Sequence, residues 1–290
     1  MRFFQLLRVK HWVKNLFLFI PVFFAGDIFV YKNYPSLLLG FIAFCLVASA
    51  VYILNDFKDI EVDRKHPSKK ERPLASGAVA LKEGFILFIL LLILSCGVAF
   101  YINTYFLIIV LTYFGLNIAY SLGLKHISIL DILILAFGFV LRVIGGGLIV
   151  GVSVSEWLII MVFLLAVFLG LAKRRDDILM FNESGKVFRK ASQYYNLEFT
   201  NACLTMLSAI ICVAYLMYTI SDEVIQKFQS NYVYWTSIFV LAGIMRYLQI
   251  TLVENNSASP TKVLYSDKFI IFTLIGWITM FYMIIYLHKL

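Results

Sequence analysis

The chain has 290 residues, of which 62% are hydrophobic and only 14% charged, with a mean hydropathy of +0.89. That leaves too little polar surface to cover a water-soluble globule, so an all-α polytopic protein of the lipid bilayer is expected. The net charge of +8 is read as topology, and no nucleic-acid partner is expected.

The hydrocarbon core asks for roughly 20 apolar residues per spanning helix. In chain order the sequence predicts nine spans, near 15–30, 36–56, 84–101, 104–121, 128–150, 155–172, 200–220, 232–250 and 269–287. The segment from Met1 to Lys14 is basic and runs into apolar residues as an ordinary first helix does. No removable leader is therefore expected, although Phe24-Ala25-Gly26-Asp27 mimics a cleavage step. Basic residues then alternate with the spans. Arg2, Arg8, Lys10 and Lys14 precede the first span; Lys58, Arg64, Lys65, Lys69, Lys70, Arg72 and Lys82 follow the second; Lys125 follows the fourth. Lys173, Arg174, Arg175, Lys186, Arg189 and Lys190 follow the sixth, and Lys262 and Lys268 the eighth. Only Lys32, Lys227 and Lys289 fall on the other side, so the N-terminus is placed in the cytoplasm of an inner (plasma) membrane protein. The two longest loops, after spans two and six, lie on that face and carry carboxylates among their cations, which places the work of the protein there. No Pro-, Gly- or Ser-rich linker interrupts the chain, so one domain over residues 1–290 is expected. Cys45, Cys96, Cys203 and Cys212 fall inside spans with no metal-ligand spacing, and His11, His66, His126 and His288 are scattered.

The chemistry gathers at Asn55-Asp56-x-x-Asp59-x-x-x-Asp63. If the second span runs on past Asn55 as a helix, a turn of 100° per residue puts these four oxygen-bearing side chains within an arc of about 100°. Three anions so close repel one another unless a counter-ion intervenes. A hard divalent cation suits them, and Mg²⁺ takes one or two carboxylates together with phosphate oxygens and water. The implied ligand is a metal-bound diphosphate, with Asp56, Asp59 and Asp63 as the catalytic carboxylates.

This stretch, followed by Arg72-Pro73-Leu74-Ala75-Ser76-Gly77, resembles the first signature of the UbiA superfamily of intramembrane prenyltransferases. The resemblance implies a helical barrel opening at the cytoplasmic face, where Mg²⁺ holds a diphosphate between two acidic motifs. The second motif departs from the usual spaced aspartates: the sixth span ends in Lys173-Arg174-Arg175-Asp176-Asp177. Asp176 and Asp177 are the remaining metal ligands by that resemblance, while Lys173 and Asp177 also have the spacing of an ordinary helix-end ion pair.

Three further stretches resemble the decaprenyl-phosphate phosphoribosyltransferase branch of that family. They are Arg8-Val9-Lys10-His11-Trp12-Val13-Lys14-Asn15, Tyr120-Ser121 to Lys125 with Leu130-Asp131, and Gly138-Phe139-Val140-Leu141-Arg142. In that branch the donor is phosphoribosyl diphosphate, the acceptor a polyprenyl phosphate, and pyrophosphate leaves. Lys10, Lys14, Arg72, Tyr120, Lys125 and Lys173 are the substrate-binding residues expected on the cytoplasmic side. Arg142 joins them, because an arginine three turns into a span must face a cavity or a partner; Asp131, about 16 Å earlier on the helix, is too far to pair with it. The alternative is an aromatic prenyltransferase of the same family with an isoprenyl diphosphate donor, for which a fuller second aspartate motif is expected. A transporter without catalysis is the remaining reading, and it lacks the paired broken helices such proteins use.

Overall fold

The computed structural model of the chain describes residues 2–65, 69–184, 194–255, 263 and 266–287. The loop cations Lys186, Arg189, Lys190 and Lys262, with Lys289, His66 and His288, lie outside the described residues. The helices are α1 (Arg2–Leu7), a 3-10 helix (Val9–Phe19) leading into α2 (Ile20–Ala25), α3 (Tyr34–Lys65), α4 (Leu81–Ile102), α5 (Thr104–Leu122), α6 (Leu130–Val150), α7 (Glu156–Ser184), α8 (Leu197–Thr219), α9 (Asp222–Phe228), α10 (Ser237–Leu252) and α11 (Lys268–Tyr282). Among the described residues, 8 helices, α3 to α8 with α10 and α11, are long and apolar enough to cross a membrane, and the chain is an integral membrane protein.

Helix starts follow local chemistry. Asn103 accepts a hydrogen bond from the backbone of Tyr105, Asn196 from Phe199 and Asp267 from Ile270, each satisfying an N–H that the first helical turn leaves open. The chain forms two compact units, one of residues 1–125 and 137–155, the other of 126–136 and 156–290. In the first, α3 packs on α4 and α5 around Phe44, Val47, Phe106 and Val110, and Leu6, Ala50, Ile53, Leu74 and Val79 form a second cluster. Lipid tails are as apolar as these side chains, so close packing and interhelical hydrogen bonds carry the association. Ser95 Oγ donating to Ala43 O at 2.8 Å is one such bond between α4 and α3. In the second unit α7, α8, α10 and α11 enclose Phe168, Leu204, Ile211, Tyr247 and Ile270.

Two expectations change. The first span is not one α-helix: an 11-residue 3-10 helix precedes a 6-residue α-helix that stops at Gly26, whose φ of 81° is left-handed. At about 2.0 Å per 3-10 residue and 1.5 Å per α residue, these residues still cover roughly 31 Å. A 3-10 helix turns once every three residues, and burial follows that period, with Trp12 half-buried and Asn15, Leu18 and Pro21 buried. What fixes the path is the backbone of α6, since a Cβ on Gly146 would stand 2.0 Å from Leu18 O. The second change concerns the two long loops: α3 continues to Lys65 and α7 to Ser184, so much of what reads as loop by polarity is helix projecting beyond the apolar stretch.

Candidate active site

Because α3 runs through Lys65, Asn55, Asp56, Asp59 and Asp63 share a helix face in the first unit. Asp56 and Asp63 are buried and Asp59 is half-exposed. Each carboxylate is held by a cation from a different element. Arg8, at the junction of α1 and the 3-10 helix, binds Asp56 Oδ1. Arg72 NH1 reaches both Asp56 Oδ1 at 3.2 Å and Asp63 Oδ2 at 2.6 Å. Lys125 Nζ, in the turn after α5, lies 2.8 Å from Asp59 Oδ1. Asn55 accepts a hydrogen bond from Ser121 near the C-terminal end of α5.

Local folding explains how these cations arrive. Arg8 has φ 51° and ψ 46°, a left-handed conformation uncommon outside glycine. Its guanidinium sits 4.8 Å over the ring of Tyr52. The segment is tied to α3 by Trp12 Nε1 donating to Ser49 Oγ at 3.1 Å and by Ser49 Oγ donating to Leu7 O at 2.8 Å. The loop carrying Arg72 is pinned by buried Leu74 and Val79, by Val79 N donating to Pro73 O at 3.0 Å, and by Arg64 Nε donating to Ala75 O at 3.2 Å. Gly77, at φ 74°, supplies the left-handed turn that a residue with a Cβ would strain.

Among the described residues no three His, Cys, Asp or Glu side chains converge as a ready-made metal cage. The donor set nevertheless suits Mg²⁺. It is all oxygen, and two of its carboxylates are buried charges whose present counter-ions are side-chain cations. Such a set leaves coordination positions for phosphate oxygens.

The other expected residues divide. Lys10 is exposed on the 3-10 helix, while Lys14 and, on α5, Tyr120 are half-buried. Arg142 is buried and its donors are taken inside the first unit: Nε by Asn15 Oδ1 at 2.7 Å, NH1 by Gly138 O at 2.6 Å, and NH2 by Tyr113 OH at 3.1 Å. The rings of Phe44, Tyr113 and Phe139 surround it. It thereby fastens the 3-10 helix to α6.

In the second unit Lys173 is exposed and Asp176 buried, but the organising residue is Arg174. Its NH1 bonds Asp177 Oδ2 at 2.7 Å, and its Nε stands 2.8 Å from Asp131 Oδ2 as an ion pair whose N–H is not aimed along the oxygen. Tyr195 OH donates to Asp131 Oδ1 at 2.9 Å and accepts from Ile129 N. Burial first, and the charge of Asp131 as well, push the Tyr195 hydroxyl well up, so it stays a donor. Arg175 donates to Asn201 and Asn255, both at 2.8 Å.

Sequence reasoning missed Arg8, Ser121 and Arg174 as partners of these carboxylates and of Asn55. Arg8 stands two residues before Lys10 in a stretch already singled out, but nothing in its spacing separates it from the other basic residues around it.

Residues 18–184 match the UbiA prenyltransferase family. The chain is 28% identical over 288 residues to a decaprenyl-phosphate phosphoribosyltransferase of Corynebacterium glutamicum, covering 97% of this chain and 86% of that protein. It is 26% identical to a protein of the same name from Mycolicibacterium smegmatis, covering 93% and 88%. In fold it is similar to a UbiA homologue from Archaeoglobus fulgidus bound to DMAPP and Mg2+, with a TM-score of 0.72, 21% identity, and 98% and 99% of the two chains covered. The chain is a membrane transferase that belongs to the UbiA prenyltransferase family.

Proposed function

We propose that the chain transfers 5-phosphoribose from phosphoribosyl diphosphate to a polyprenyl phosphate, with release of pyrophosphate, at the cytoplasmic face of an inner membrane. What carries this reading is similarity along 97% of the chain to a transferase of that name, joined to an acidic motif whose every carboxylate has a cation beside it. The donor brings a 5-phosphate as well as a diphosphate, and so wants several cations at one place. Arg8, Arg72 and Lys125 meet at the motif, and Lys10, Lys14 and Tyr120 of the same unit are further substrate contacts in this reading.

Asn55, Asp56, Asp59 and Asp63 of the first unit would hold Mg²⁺. Bound there, Mg²⁺ neutralises charge on a departing pyrophosphate. Arginine and lysine add charge-assisted hydrogen bonds to phosphate oxygens. The attacking group is a lipid phosphate oxygen, which displaces pyrophosphate from C1 of the ribose. That oxygen is anionic at neutral pH, so no strong general base is required, in keeping with a site that has no histidine among its motif residues.

The test presents purified protein and Mg²⁺ with labelled phosphoribosyl diphosphate and polyprenyl phosphate, or with labelled prenyl diphosphate and an aromatic acid. Label enters the lipid phosphate in the first mixture. Transfer in the second mixture alone would establish the aromatic prenyltransferase reading instead.

A further inference from the structure

The motif's three carboxylates face three side-chain cations, and each carboxylate that would hold a metal already has one oxygen taken by a cation. Asp56 Oδ1 is shared by Arg8 and Arg72, Asp63 Oδ2 is 2.6 Å from Arg72, and Asp59 Oδ1 is 2.8 Å from Lys125. Building on the reading of this motif as a metal and diphosphate site, we infer that Arg8, Arg72 and Lys125 are interchangeable counter-ions. They neutralise the carboxylates while the site is empty and pass to the phosphates when metal and donor enter together.

The argument is one of charge. Asp56 and Asp63 are each only 2% exposed, and buried carboxylates need a partner at all times. The empty cluster is balanced, with three anions against three cations. A divalent ion entering alone draws on carboxylates already neutralised by ammonium and guanidinium groups, and so leaves an excess of positive charge. A diphosphate entering alone meets the carboxylates. Entering together, the metal takes the carboxylate oxygens, the released cations take phosphate oxygens, and every carboxylate and cation is paired again. Metal and diphosphate therefore bind with positive coupling, and coupling between two ligands is reciprocal.

The cations have the freedom the exchange requires. Their side chains are 21%, 26% and 19% exposed for Arg8, Arg72 and Lys125, and they come from the N-terminal junction, the loop after α3 and the turn after α5. No cage of three acidic or imidazole groups stands ready among the described residues to take a metal unaided. The exchange assigns Arg8 a role in donor binding that its place among many cytoplasmic cations conceals.

The test is equilibrium dialysis of radioactive Mn²⁺ against the full-length protein in detergent, with the bound ion counted as the excess on the protein side, with and without inorganic pyrophosphate. For the native protein, pyrophosphate raises Mn²⁺ affinity by about tenfold or more, within the usual range of such couplings. Arg72→Gln raises the affinity for Mn²⁺ alone by about fivefold and cuts the pyrophosphate effect to about twofold or less. Lys58→Gln is the control for simple loss of charge, because exposed Lys58 stands inside the motif and has no carboxylate partner among the described residues. It stays within about twofold of the native protein in both measurements. Equal Mn²⁺ affinity with and without pyrophosphate, or an Arg72→Gln protein that behaves as Lys58→Gln does, overturns the exchange and leaves the metal site standing. No saturable Mn²⁺ binding even with pyrophosphate overturns the site reading itself.

Discussion

Two ion-pair clusters, built from the same residue types, differ in how deeply the cation is sunk. In the first unit Arg8, Arg72 and Lys125 keep about a fifth to a quarter of their side chains in solvent. In the second, Arg174 is 1% exposed and Asp131 0%, with Asp177 and Tyr195 completing the network. A guanidinium with a solvent edge can leave a carboxylate without being stranded. A fully buried one cannot, because removing either partner leaves a charge in a low-dielectric interior. The first cluster is thus suited to exchange and the second to holding α6 and α7 together, and the placement of the cation separates them where composition does not.

The largest effect expected from breaking this contrast is at Arg174. Arg174→Met strands Asp131 and should cost about 3–5 kcal/mol, read as a fall in thermal stability in detergent. Adding Asp131→Asn should recover most of it, and a single variant as stable as the native protein would remove the structural reading of the pair. At the exchangeable cluster the same kind of change acts on turnover instead. Asp59→Asn should lower kcat/KM by about a hundredfold or more while the protein still inserts and elutes as before, since metal-assisted charge stabilisation is worth several kcal/mol. Undiminished label transfer would dismiss Asp59 as a ligand.

Between the two lies Gly146→Ala. Its methyl would meet Leu18 O at 2.0 Å, and overpacking of this kind costs about 1–3 kcal/mol. Because Leu18 belongs to the helix that leads back to Arg8, the variant should lower donor affinity as well as stability; a stability loss alone would uncouple the two. The smallest effect is expected at Asp267, just before α11. The hydrogen bond from Arg246 holds its carboxyl below the usual carboxylate range. A depressed carboxylate stabilises the fold above its ordinary value and stops doing so as pH falls through the lowered one. Asp267→Asn should therefore flatten the pH dependence of stability only on the acid side, and only slightly for a pair that solvent reaches.

Much of this was legible in the sequence, for physical reasons that also mark the limits. Apolar runs of about 20 residues announce spanning helices however they pack, and the spacing of Asp56, Asp59 and Asp63 matches the α3 face. The 3-10 helix was hidden because residues three apart fall close to one face at a period of 3.6 as well as at 3.0, so Asn15 and Leu18 fit either geometry. Arg174 was hidden by its neighbours, since Lys173-Arg174-Arg175 reads as one basic loop although α7 continues through it and turns the middle residue inward. Arg8 was hidden by the positive-inside pattern, which accounts for every cation of these loops equally well. Arg142 was read as a substrate-binding arginine facing a cavity or a partner, and Asn15 and Tyr113 are side-chain partners that only the folded chain brings to it.

The 3-10 helix also has a stroke. Its 11 residues are drawn out by about 0.5 Å each relative to an α-helix, so rewinding them would shorten the segment by roughly 5–6 Å, close to one α-helical turn. The retraction would exceed the length of any ion pair. Arg8 can touch Asp56 only while this stretched segment stays pinned by Trp12 on Ser49, Asn15 on Arg142 and Leu18 against Gly146. The reach of one arginine toward the acidic motif is thus set by the pitch of the helix that follows it.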